Sequence, residues 1–342
     1  MKASLPLMSI TAGLLLATAP LHAAEPTASY GPQLQGFDYP HPLQRFEFDS
    51  QGQTLSMGYM DVAPTAQANG RTIVLMHGKN FCGATWEATI DVLADHGYRV
   101  IVPDQIGFCS STKPVGYQFS FNQLAATTQT LLDSLDVDQA TIAGHSMGGM
   151  LAARYALSYP DTTEQLVLVN PIGLEDWQAE GVPYASIDQL YQGELKTDFD
   201  SIKAYQQRVY YDGEWKPEYS RWVSMQAGLY AGPGREQVAM NQAQTSDMIF
   251  TQPVVHEFDR IKVPTLLLIG GMDRTAPGAN RAKPDVAARL GNYPVLGRDT
   301  AEAIPNATLV EFPELGHSPQ VEAPDRFHEA LLRGLNNEME QD

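Results

Sequence analysis

The chain has 342 residues, 43% of them hydrophobic, and its 40 acidic side chains outnumber 22 basic ones for a formal charge of −18. That is enough apolar material for one large core, or a core with an insertion. The acidic excess tells against nucleic acid or an anionic membrane surface as a partner, since both bind through basic patches.

The N-terminus reads as a secretion signal. Lys2 precedes an apolar run over residues 10–19, and Ala23 and Ala24 suit cleavage. Residues 1–23 are therefore set apart from the fold, with an uncleaved anchor as the competing reading. No later segment reaches the roughly 18 apolar residues of a membrane span. The mature protein is expected in the periplasm or outside the cell, with no stable membrane insertion after signal removal.

Residues 24–43 form a Pro- and Gly-rich lead-in, and residues 45–48 and 55–61 alternate like two strands about a Ser50-Gln51-Gly52-Gln53 turn. Thr72–Met76 is a continuous apolar run of the kind buried on both faces of a sheet. Residues 86–96 follow with helical spacing, residues 99–102 with a strand pattern, and Ser120 is placed to cap a helix through Leu124, Leu131 and Leu135. Residues 139–143 and 165–169 read as further strands. Such alternation argues for a parallel sheet covered by helices on both faces.

The alternation breaks at Asn170-Pro171. Residues 171–259 read as a mostly helical insertion, a cap, dividing a core made of residues 24–170 and 260–342. Within it Trp177, Tyr184, Tyr191, Trp215 and Trp222 are expected either to wall an apolar pocket or to pack the cap itself. A strand resumes at residues 264–270. A second polar insertion over residues 281–300, suited to a substrate mouth, precedes a strand at Ala307–Phe312 and a last helix over residues 324–335.

The chemistry centres on Gly144-His145-Ser146-Met147-Gly148-Gly149, which sits between a strand and an Ala-rich helical pattern. Strand, Gly-x-Ser-x-Gly, helix is the setting in which a sharp turn lifts a serine hydroxyl clear of the sheet edge. A serine needs a base, an acid to orient that base, and donors for the developing oxyanion. Of the eight histidines, His317 alone occupies a strand-to-helix loop at the expected sheet edge. His96 and His328 read as solvated helix faces, and His145 as a neighbour of the serine that packs or hydrogen-bonds locally. Asp273, after the strand at residues 264–270, is the expected acid, with Glu175 and Asp176 as competitors. The oxyanion donors are expected to be the Met147 amide and the Lys79 amide, with Asn80 as the alternate. No paired-His or Cys-x-x-Cys pattern implies a metal or cofactor.

The two cysteines lie on loops after strands that would be neighbours in one sheet. Cys82 and Cys109 are therefore expected either to form a disulfide beside the site or to remain free thiols.

In this order, His77-Gly78, Pro103-Asp104-Gln105-Ile106-Gly107, the serine turn, Asp273 and Gly316-His317 resemble the landmarks of the α/β-hydrolase fold over residues 45–335. The resemblance implies a doubly wound, mainly parallel eight-stranded sheet with a helical cap. It also implies a Ser146-His317-Asp273 hydrolase that acts on a small-molecule ester, like cap-containing esterases. Hydrolases that cleave carbon–carbon bonds, and aminopeptidases or amidases of the proline iminopeptidase type, are alternatives. Lys79-Asn80 in place of a Gly-rich run departs from the former, and Gly-His-Ser-Met-Gly departs from the latter, although Glu175, Asp176 or Glu180 would suit an amine. A non-catalytic binding protein on the same fold is a further reading.

Overall fold

The computed structural model describes Met1 and residues 28–336, so the expected signal segment, its first residue apart, lies outside the described residues. Eight strands form one sheet: β1 (Leu43–Ser50), β2 (Gln53–Val62), β3 (Thr72–Met76), β4 (Arg99–Pro103), β5 (Ala140–His145), β6 (Thr163–Val169), β7 (Thr265–Gly270) and β8 (Ala307–Phe312). Their spatial order is β1-β2-β4-β3-β5-β6-β7-β8. The first three in that order are antiparallel neighbours, and every other pairing is parallel.

The continuous apolar strands take the centre. β5 and β7 are buried along their whole length, and four of the five β3 residues are buried. One apolar cluster lies on each face of the sheet, with Val74, Ile142 and Leu168 on one side and Ile73, Ala143 and Val167 on the other. This is the doubly wound arrangement expected of a parallel sheet.

The helices, in chain order, begin with α1 (Glu87–Asp95), α2 (Phe121–Ser134) and α3 (Met147–Ser158). α2 starts at the expected cap, where the Ser120 side chain accepts from the Gln123 amide. Four helices fill the stretch between β6 and β7: α4 (Ile187–Glu194), α5 (Phe199–Val209), α6 (Ser220–Ala231) and α7 (Arg235–Thr251). Then come α8 (Pro284–Ala287), α9 (Tyr293–Ala303), α10 (Pro319–Glu322) and α11 (Pro324–Leu335).

Two expectations are corrected. The polar stretch over residues 281–300 is largely not a free insertion, because α9 is the crossover helix between β7 and β8 and packs on both. Gly297 faces Ile269 there. His328 is buried rather than solvated: it lies on the inner face of α11 and bonds Thr89 Oγ1 of α1 at 3.0 Å. Burial holds its pKa down at about 4.

Candidate active site

The serine turn is built by close approach. A Cβ at Gly144 would overlap the Gly148 carbonyl, and one at Gly148 would overlap the Met76 carbonyl of β3. With both atoms missing, the chain passes from β5 into α3 in one residue. Ser146 takes up the strain, at φ 56° and ψ −121°. Its amide is held by the Val169 carbonyl at 3.1 Å.

His317 and Asp273 meet across two loops at the same edge, Nδ1 to Oδ2 at 2.6 Å, and both side chains have zero exposure. A carboxylate only accepts, so Nδ1–H donates to Asp273 Oδ2 and Nε2 lies on the ring edge away from the acid. That Nε2 has no hydrogen-bond partner among the described residues, so Ser146 Oγ is not bonded to it here. Asp273 is fixed further by the Thr275 amide on Oδ1 at 2.8 Å and by Asn170 Nδ2 on Oδ2 at 3.0 Å. Asn170 Oδ1 in turn accepts the Gly270 amide at 2.8 Å, which ties the end of β6 to the loop that bears the acid.

His145 bonds at long range instead of locally. Its Nε2 donates to the His317 carbonyl at 2.7 Å, and the two rings lie 4.8 Å apart. Burial, and next the neighbouring His317 charge, hold its pKa well below the ordinary range. His145 is therefore a neutral donor that joins the serine strand to the histidine loop.

That loop is held by three successive amides. Gly316 N and Ser318 N both donate to the Glu322 carboxylate, at 3.0 Å each, and His317 N donates to the Tyr210 carbonyl at 2.8 Å. Burial pushes the Glu322 carboxyl up to about 6, against the amides that favour its ionised form.

Gly78 opens a turn closed by the Phe81 amide on the Gly78 carbonyl, and a Cβ at Gly78 would meet Ser146 Cβ at 3.0 Å. Among the described residues the amides of Lys79, Asn80 and Met147 find no acceptor. The side chains of Lys79 and Asn80 turn to the cap: Lys79 Nζ pairs with Glu194 Oε1 at 2.9 Å, and Asn80 Nδ2 donates to the Tyr210 hydroxyl at 2.8 Å.

Cys82 and Cys109 form a disulfide, with Cα atoms 5.8 Å apart. It joins the loop after β3 to the loop after β4 and lines a cleft with Lys79, Asn80, Lys113, Met225 and Leu229. The Lys113 ammonium is buried there on the Ser111 and Cys109 carbonyls, and burial pushes its pKa down to about 7. Cys82, Cys109 and Asp104 are close enough to suggest a metal set, but the sulfurs are bonded to each other and Asp104 accepts from Gly83 N and Ser110 N.

The competing acids lie elsewhere. Glu175 bonds Trp177 and the Gly291 amide, and Asp176 pairs with His256 at 2.8 Å. Of the cap aromatics, Trp177 and Trp222 are buried and follow the packing alternative, and Tyr184 is half exposed to solvent. Tyr210, which was not singled out, is the cap residue that reaches His317, with ring centroids 4.3 Å apart. Asn170, Tyr210 and Glu322 were missed. Ser318-Pro319 marks a helix start, but nothing local singles out Glu322 within it.

An elbow serine, a buried His–Asp pair and an eight-stranded doubly wound sheet together define an α/β hydrolase. The chain belongs to the family described as the alpha/beta hydrolase fold, whose model matches residues 71–324. It is similar to the solved structure of a probable hydrolytic enzyme from Pseudomonas aeruginosa PAO1, at 63% identity and TM-score 0.89, covering 90% of this chain and 99% of that one. It is 28% identical over 290 residues to a 2-hydroxy-6-oxononadienedioate/2-hydroxy-6-oxononatrienedioate hydrolase of Paraburkholderia phymatum, covering 82% of this chain and 91% of the relative. An esterase from Thermogutta terrifontis shares the fold, with TM-score 0.64 at 21% identity over 86% of this chain and 98% of its own.

Proposed function

We propose that the protein is a serine hydrolase that cleaves a carboxylic ester of a small or medium acyl substrate through an acyl-enzyme. In this reading Ser146 Oγ attacks the ester carbonyl while His317 Nε2 takes its proton. Asp273 holds the Nδ1–H and stabilises the imidazolium. The Lys79 and Met147 amides receive the oxyanion, with Asn80 as the alternate to Lys79. The leaving alcohol takes the proton back from His317, and water then hydrolyses the acyl-enzyme through the same base. The Ser146–His317 bond closes in the substrate complex, as catalytic hydrogen bonds often do.

The observation that carries this reading is the buried 2.6 Å His317–Asp273 pair, with its Nε2 unpartnered, at the sheet edge that bears the strained Ser146. The relative from Paraburkholderia phymatum favours a second reading, hydrolysis of a carbon–carbon bond in a ring-fission product, on the same serine and base.

Purified protein is treated with a phosphonate probe and assayed on p-nitrophenyl esters of increasing chain length, lactones, aminoacyl arylamides and a dienoate ring-fission product. Labelling lost in Ser146→Ala, with esters turned over fastest, supports the proposal. A wild type that resists labelling sinks the serine mechanism, and preference for the dienoate or the arylamides sinks the ester assignment. Secretion belongs to the proposal, since disulfides persist in oxidising compartments. N-terminal sequencing of the exported protein should begin at Ala24 or Glu25.

A further inference from the structure

Tyr210 follows α5 in the cap, and its own amide is anchored on the Gln206 carbonyl at 2.8 Å. From there one residue touches both halves of the site. Its carbonyl accepts the His317 amide at 2.8 Å. Its ring lies over the His317 imidazole, with centroids 4.3 Å apart and planes tilted by 31°. Its hydroxyl accepts from Asn80 Nδ2 at 2.8 Å, on the turn opened by Gly78, where a Cβ would meet Ser146 Cβ at 3.0 Å. The core makes room for this approach: a Cβ at Gly316 would overlap the Tyr210 carbonyl oxygen. Asn80 is held from the cap a second time, since its Oδ1 accepts from Gln226 Nε2 at 3.2 Å. Burial keeps the Tyr210 phenol neutral, with its pKa well above the ordinary value.

We propose that Tyr210 is a positioning residue through which the docked cap fixes the His317 ring relative to the Lys79-Asn80 turn. The inference rests on the Ser146-His317-Asp273 reading above. A base and an oxyanion turn on separate loops must hold their spacing to a fraction of an ångström, because a small misplacement costs rate steeply. Asp273 sets one edge of the imidazole, and Tyr210 sets its face and links that face to Asn80. Its contribution therefore falls on kcat and passes through the Asn80 side chain. A tyrosine that merely filled cap volume would have no such coupling.

The experiment uses the full mature chain, with active sites counted by phosphonate labelling at Ser146. Kinetics on p-nitrophenyl acetate are compared for wild type, Tyr210→Phe, Asn80→Ala, the double variant and Gly316→Ala. Each single change at Tyr210 or Asn80 is expected to lower kcat by about tenfold and leave KM within about twofold. The double variant should be no worse than the weaker single, because both remove one shared contact. Gly316→Ala, which displaces the Tyr210 carbonyl, should likewise lower kcat. Tyr210→Phe with kcat within about twofold of wild type overturns the proposal, as do single losses that multiply to about a hundredfold in the double variant. A wild type that does not label at Ser146 overturns the underlying serine mechanism, an outcome separable from failure of the Tyr210 link.

Discussion

Reducing the Cys82–Cys109 bridge should weaken the fold far more than it weakens catalysis. The bridge spans 27 residues of sequence. In the chain-entropy treatment, closing a loop of that length removes about 12 cal/mol/K from the denatured chain, or about 3.5 kcal/mol at 25 °C. The folded state has a second tie at the same place: Asp104 Oδ1 accepts the Gly83 amide at 2.7 Å and Oδ2 accepts the Ser110 amide at 3.0 Å. Those bonds keep the two loops together when the sulfurs part, so the loss falls on the unfolded side of the balance. Urea unfolding of oxidised and reduced wild type, followed by tryptophan fluorescence, should give a stability difference of about 3.5 kcal/mol and a larger m-value for the reduced form. The kcat of the Cys82→Ala/Cys109→Ala variant should stay within about threefold of wild type. A stability difference below about 1 kcal/mol would refute the denatured-state argument. A tenfold loss of kcat in the folded variant would show that Asp104 does not hold the loops alone.

Ser146→Gly should abolish turnover yet be about 1 kcal/mol more stable than Ser146→Ala in urea, because glycine relieves the strain at φ 56°. Asn170→Asp places a second carboxylate 3.0 Å from Asp273 and removes the donor on Oδ2, so kcat/KM should fall by about a hundredfold while Asn170→Ala costs less. For Glu322, the folded pKa is raised from 4.5 to about 6, so the native state binds this proton more tightly than the unfolded chain. The associated stability is present below pH 4.5 and lost as pH rises through 6, a span of about 2 kcal/mol. Glu322→Gln cannot titrate, so its stability relative to wild type should improve by about 2 kcal/mol between pH 4 and pH 7; a pH-independent difference would contradict the burial of that carboxyl.

What could be read from the sequence was whatever is local. The turn at Ser146 shows itself because its two glycines sit two residues either side of the serine, and the steric need for them is met by adjacent chain. Ser120 shows itself because a cap acts over three residues. His317 and Asp273 could be placed because each follows a strand, and strand order then brings them to one edge. Asn170 could not be found this way: its partners lie about a hundred residues on, and nothing around a polar residue before proline distinguishes a strand end from a site. The partner of His145 is 172 residues away, so its long-range bond was out of reach. His328 was misread because α11 is amphipathic and its polar face was assumed to be wet, whereas Thr89 of α1 gives the ring a partner inside. The stretch around α9 was misread because Pro284, Gly291 and Pro294 break up a pattern that still packs as a crossover helix.

The restraints on the site are uneven. The His317 backbone is held by amide bonds at three consecutive residues, from α10 on one side and from the cap on the other. Its ring is held at Nδ1 by Asp273 and covered on one face by Tyr210. The backbone of Ser146 is fixed by its own strained turn and by Val169. The Ser146 hydroxyl is not bonded to His317 Nε2 among the described residues. Substitutions that loosen the histidine loop should consequently lower kcat, because the serine hydroxyl would then have no fixed acceptor to meet.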